Sequence, residues 1–351
     1  MQTNPTAAAP VRGAIDWPAL PKILLHEHLD GGLRAATLLE LCQARQVATP
    51  AATADGLAAW LLANSHSGSL ERYLTGFGLT VAAMASEDAC ERVAFEAAED
   101  ARLDGCVLAE FRMAPLLLEE HGLRGEQVVE ALLRGLQRSS LASGLIVCAM
   151  RTDAPARTLQ SAQLAARYAG RGVVGFDLAG AERGFPPTPH AGAINTARDA
   201  GLGISLHAGE ADDGSRVLEA AALGATRIGH GVNIMKSADA AQRQRWIEEA
   251  RRLGLHFEVC PTSNVHTGTA GSIATHPLRA MVDAGLSVSV STDNRLMSSV
   301  SLSGELREVH EQNRVTLPQL GRMMREAARA SFLPDAARGI ALQAVAPWSQ
   351  D

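Results

Sequence analysis

KILLHEHLDGG, residues 22–32, begins as an apolar strand and ends in two histidines and an aspartate on alternating positions. Side chains alternate across a strand, so His26, His28 and Asp30 share a face with Leu24, while Ile23, Leu25 and Leu29 take the other. One face turns polar where the strand stops. A (β/α)8 barrel is the architecture that collects reactive groups at the C-terminal ends of its strands.

Seven further β-rich runs follow helical stretches, the sign of parallel strands joined by crossover helices. They are GCVLAEFRMA (105–114), SGLIVCAM (143–150), GVVGFDLAG (172–180), GISLHAGE (203–210), TRIGHGV (226–232), LHFEVCPTSN (255–264) and LSVSVSTDN (286–294). Eight units in about 300 residues predict an α/β fold, a (β/α)8 TIM barrel, better than an open sheet. The connection from the first run to the second is too long for one crossover. Helical patterns near 35–47, 52–63, 69–84 and 87–103 make it a helical insertion at the barrel mouth. No linker or low-complexity segment divides residues 1–351, so one barrel domain is expected.

The 351 residues are 46% hydrophobic and 20% charged, enough for a large core. A net charge of −6 and 4% aromatic residues leave no basic or stacking footprint for nucleic acid, so a small-molecule partner is the default. Five cysteines without a C-x-x-C pair fit free thiols of a reducing compartment, with Cys106, Cys148 and Cys260 read as core. The N-terminal MQTNPTAAAPVRG lacks a basic start and apolar h-region, and no run approaches membrane-spanning length; a cytoplasmic protein is expected. Lys22 and Lys236 are the only lysines, and there is no phosphate-binding G-x-x-x-x-G-K-[ST] loop.

The predicted strand ends carry His26, His28 and Asp30, then His207 and Glu210, then His230, then Asp293 and Asn294. Any one of these alone would read as a satisfied rim residue. Together, three imidazoles and a carboxylate make a plausible shell for a zinc ion that keeps one position open for water. Such an ion lowers the pKa of its water and supplies hydroxide near neutral pH. On the last strand Ser287, Ser289, Ser291 and Asp293 share a face opposite Val288 and Val290, which aims Asp293 inward. Glu27, out of phase with both neighbouring histidines, reads as structural. His66, His121, His190, His256, His266, His276 and His310 lack such placement and read as ordinary polar residues. The fourth strand has no lysine to bridge two metals, which favours one ion.

The ordered motifs HEHLDG, FDLAGAE, SLHAGE, RIGHG, CPTSN and STDN, spread over residues 26–294, resemble the adenosine deaminase family of the metal-dependent amidohydrolases. The resemblance implies zinc held by His26, His28, His207 and Asp293, one ion per chain. It implies that His230 orients the water and helps deprotonate it, and that Glu210 gives a proton to purine N1. It further implies that Asp30 meets the ribose 5′-hydroxyl, that the Gly180 backbone meets N3, and that His28 lies beside the substrate. Asn294 departs from the second aspartate common in the family; its amide can still donate to N7. The implied reaction is hydrolytic deamination of adenosine, and of 2′-deoxyadenosine, to inosine and ammonia in purine salvage. Two other readings stay open: a deaminase of another 6-aminopurine (adenine, a modified adenosine or aminodeoxyfutalosine), and a nucleoside-binding protein without turnover.

Overall fold

The computed structural model describes residues 15–349, so the N-terminal stretch MQTNPTAAAPVRG lies outside the described residues. Eight parallel strands pair in sequence order: β1 Lys22–His28, β2 Cys106–Met113, β3 Ala142–Met150, β4 Val173–Ala179, β5 Gly203–Ala208, β6 Arg227–His230, β7 His256–Val259 and β8 Ser287–Val290. The ring closes where the Asp293 N–H donates to the His26 carbonyl at 2.9 Å and the His28 N–H donates to the Asp293 carbonyl at 2.7 Å. With the intervening helices this is the expected (β/α)8 barrel. No described helix is long and apolar enough to cross a membrane.

Three expectations need correction at their edges: the run read over 286–294 is a strand only through Val290, with an isolated bridge at Asp293. The strand read over 255–264 stops at Val259, and Pro261–His266 is a short helix. Proline at the first helical position sacrifices no ladder bond, which explains the stop. Residues 29–31 form a single turn of helix rather than the end of β1, and the pairing of β1 with β2 shifts register between Leu24 and Glu27.

The insertion after β1 comprises helices Ala35–Ala44, Ala54–Ser65, Leu70–Tyr73 and Phe77–Met84, before the crossover helix Glu87–Leu103. Thr53, Ser69 and Ser86 each accept a backbone N–H in the first turn of the helix that follows, the hydrogen bond that starts a helix. At the opposite end of the barrel the Phe332 ring lies against Gly203, where any Cβ would collide with it. The Arg227 guanidinium stacks 3.9 Å above that ring. Site and floor thus occupy opposite ends of one packed barrel.

Candidate active site

At the C-terminal ends of the strands lies a cavity of about 300 Å³. His28, Asp30, Gly180, His207, Glu210, His230, Asp293 and Asn294 line it, and Leu70, Tyr73, Leu74, Phe77 and Val81 of the insertion form its apolar wall. His26 sits beneath, fully buried. All the residues singled out at strand ends therefore converge on one place. Cys148, read as core, also reaches this wall, as does His121.

Nitrogens of His26, His207 and His230 and an oxygen of Asp293 lie within 4.8 Å of one another. This tightest group includes His230, which the sequence reading left out of the ligand set, while His28 adjoins it: its Nε2 is 3.4 Å from His207 Nε2 and 3.5 Å from Asp293 Oδ1. The partners of the other ring nitrogens separate the histidines. His26 Nδ1 meets Glu258 Oε2 at 2.9 Å and His207 Nδ1 meets Asp177 Oδ2 at 2.9 Å. A carboxylate accepts, so both rings carry their proton on Nδ1 and turn the Nε2 lone pair to the centre. His26 Nε2 is buried without a hydrogen-bond partner, 3.3 Å from Asp293 Oδ1. A buried nitrogen lone pair facing a carboxylate lacks a donor that a cation would replace, and this nitrogen and oxygen set suits a transition ion such as zinc.

Charges beneath the site hold these rings in place. Arg112, fully buried, donates to Asp177 Oδ2 at 2.8 Å and to Glu258 Oε2 at 2.5 Å, so one guanidinium joins the partners of His26 and His207. Burial opposes ionisation of both carboxylates, yet His207 and Arg112 hold Asp177, and Arg112 and Arg227 hold Glu258, below the usual carboxylate range. Burial likewise opposes ionisation of Asp293, but the surrounding imidazoles keep it well below that range. Burial lowers His28, His207 and His230 below the ordinary imidazole value. Glu210 goes the other way: burial first, then Asp293 and Glu182, push its carboxyl well above the ordinary value. Burial also raises Asp30 to about 7.

The backbone is strained where the chemistry gathers. His230 and Asp293 have φ of 60° and 59°, left-handed conformations that non-glycine residues adopt seldom and mostly where function requires. Ser263 fixes Asp293 by donating to Oδ2 at 2.6 Å. Asn294 packs so closely over Gly31 that any Cβ there would collide with its amide.

Residues 21–348 match the family model described as adenosine deaminase. An adenosine deaminase of Mycobacterium bovis is 43% identical over 330 residues, covering 90% of each chain. The chain belongs to the adenosine deaminase family. An adenosine deaminase of Mycobacterium avium is 40% identical over 334 residues, covering 90% of this chain and 91% of its own. Among solved structures, adenine deaminase from Arthrobacter aurescens superposes with a TM-score of 0.85 at 25% identity, covering 95% of this chain and all of that one. An N6-mAMP deaminase from Arabidopsis gives 0.81 at 25% identity, covering 94% and 99%. The chain is accordingly a hydrolytic deaminase.

Several parts of the deaminase site escaped the sequence reading. Glu182 ends the FDLAGAE motif, and its carboxylate accepts the backbone N–H groups of Gly209, Glu210, Ala211 and Asp212 at 2.5 to 3.0 Å, which fixes the loop that carries Glu210. Arg34 and Arg295, which lie near the motifs in sequence, turn away from the cavity. Arg34 binds Asp100, and Arg295 binds Glu27 at 2.6 Å and Asp100 at 3.0 Å. Glu27 is thus structural, as its parity indicated.

Glu305 accepts the Thr262 N–H at 3.2 Å, at the start of the helix that carries Ser263. Burial raises its pKa from 4.5 to about 7. The folded state therefore keeps a proton that the unfolded chain releases, and stability present below pH 4.5 is lost as pH rises to about 7. Glu305→Gln keeps the shape and removes the titration. Thermal unfolding of both proteins across this interval should show the variant gaining roughly 3 kcal/mol relative to the parent; parallel curves would mean that Glu305 does not titrate in this way.

Proposed function

We propose that this deaminase hydrolyses adenosine, and 2′-deoxyadenosine, to inosine and ammonia with one zinc ion per chain. The observation that carries the reading is the buried Glu210 carboxyl, which burial makes a weaker acid, lining one largely apolar cavity with the imidazole and Asp293 cluster.

In this reading His26, His28, His207 and Asp293 hold the zinc. The bound ion supplies a water acidified toward neutral pH. His230 orients the attacking oxygen, which bonds to purine C6. Charge then develops on N1, and Glu210 gives its proton there. One proton of the attacking water passes to the amino nitrogen as the C6–N bond breaks and ammonia leaves, the other restores Glu210, and the 6-oxo purine keeps on N1 the proton that Glu210 gave. Asp30, whose Oδ1 has no hydrogen-bond partner, is suited to a ribose hydroxyl; the Gly180 backbone takes N3 and the Asn294 amide donates to N7.

A nucleoside fits better than a nucleotide because, among the described residues, no arginine or lysine lines the cavity, whereas Asp30 and Glu120 do. A phosphate placed there would meet carboxyl groups without a cation to bind it. Release of the 6-amino group, as ammonia from adenosine, 2′-deoxyadenosine, adenine and AMP and as methylamine from N6-methyl-AMP, tests this. Adenosine should exceed AMP in kcat/KM by at least about a hundredfold, since an uncompensated buried charge costs several kcal/mol. Preference for AMP or for adenine would overturn the substrate reading.

A further inference from the structure

We infer that Asn264 and His276 are positioning residues that fix the tautomer of His230, so that this ring presents an N–H, not a lone pair, to the centre of the site. The inference deepens the proposed reading and rests on it only for the role of His230.

The backbone N–H of Leu278 donates to His276 Nδ1 at 3.0 Å. An accepting Nδ1 in a neutral imidazole puts the proton on Nε2. His276 is buried, and burial lowers it to about 3, so it is neutral. Its Nε2–H points at Asn264 Oδ1, 3.2 Å away. That contact settles which end of the amide is which, leaving the Asn264 NH2 group to face the catalytic residues. One hydrogen is directed at His230 Nδ1, at 3.1 Å, and the other at Glu210 Oε1, at 3.5 Å. His230 Nδ1 must accept, so its single proton lies on Nε2, which is 3.5 Å from Glu210 Oε2.

His230 is therefore the opposite of His26 and His207, whose Nδ1 atoms donate to carboxylates. Among three imidazoles that meet at the centre, the two supported by acids offer lone pairs and the one supported by an amide offers a hydrogen. That difference separates His230 from the ligand set, although its nitrogen is as near as theirs. A neutral His230 so arranged holds the attacking oxygen by donation and has no free Nε2 lone pair to receive its proton. Asn264, on the short helix Pro261–His266, also serves Glu210, so one amide orders both groups that flank the reacting ring.

The test is the tautomer itself, read by long-range proton–nitrogen NMR of metal-free, 15N-histidine-labelled protein, with His230→Gln identifying the signals. The unaltered chain should show His230 protonated at Nε2. Asn264→Asp, nearly the same shape but accepting at both oxygens, should move the proton to Nδ1 and lower kcat about a hundredfold, with KM for adenosine changed less. His276→Leu should leave the amide free to turn and give a mixture of tautomers; His276→Gln, which restores a donor to Asn264, should recover most of the Nε2–H form and of kcat. An Nδ1–H ring in the unaltered chain, or one tautomer common to it and Asn264→Asp, would overturn the inference. The NMR result does not depend on which aminopurine is the substrate.

Discussion

Glu210→Gln is expected to lower kcat for adenosine by about a thousandfold while leaving KM within a few-fold of its original value. The carboxyl sits against Thr267 Oγ1 at 3.3 Å, and glutamine can occupy the same space. What it cannot do is deliver a proton to N1 as charge develops there. The loss should therefore fall on the step and not on binding. The same group sets a pH limit whose sign follows from its environment. Burial, with Asp293 and Glu182 nearby, raises Glu210, and in the proposed reaction the protonated form is the active one. Activity should persist through neutral pH and fall as pH rises through that raised value, with the fall traced by kcat/KM in the free enzyme. A glutamine variant that keeps a tenth or more of the parent kcat would place the N1 proton elsewhere.

Arg112→Gln is expected to be the most damaging change outside the cavity. Its guanidinium is fully buried and shared by Asp177, Glu258 and the Leu25 carbonyl, to which it donates at 2.8 Å. Removing it leaves two buried carboxylates without their common cation, a loss of about 3 to 5 kcal/mol. Those carboxylates hold the Nδ1–H groups of His26 and His207, so metal affinity should also fall, by about 10- to 100-fold. Denaturant unfolding measures the first effect, and competition with a chelator of known affinity measures the second. Arg112→Lys keeps the charge but not the fork, so it should recover more stability than affinity. An Arg112→Gln chain of unchanged stability and affinity would remove the shared guanidinium from the account.

The strands and the groups at their ends were legible because they repeat locally. The histidines of HEH alternate with the period of a strand, and the serines below Asp293 do the same. The network beneath them has no such period. Arg112 and Glu258 are 146 residues apart, and only barrel closure brings them together. His276 looked like an ordinary polar residue for the same reason: its importance lies in what Asn264 does with the next hydrogen bond. The strand read through residue 264 failed at Pro261, where β-rich residues run directly into a helix whose first position suits proline. Glu182 stood in a recognised motif, yet nothing in its spacing says that it caps four backbone amides.

The most direct measurement of the central claim follows the ultraviolet change from adenosine to inosine alongside metal content per chain. Turnover should vanish when a chelator strips the protein and return in proportion to added zinc, reaching its plateau at one ion per chain. Full turnover by metal-free protein, or one bound zinc per chain with no conversion of adenosine, would contradict it.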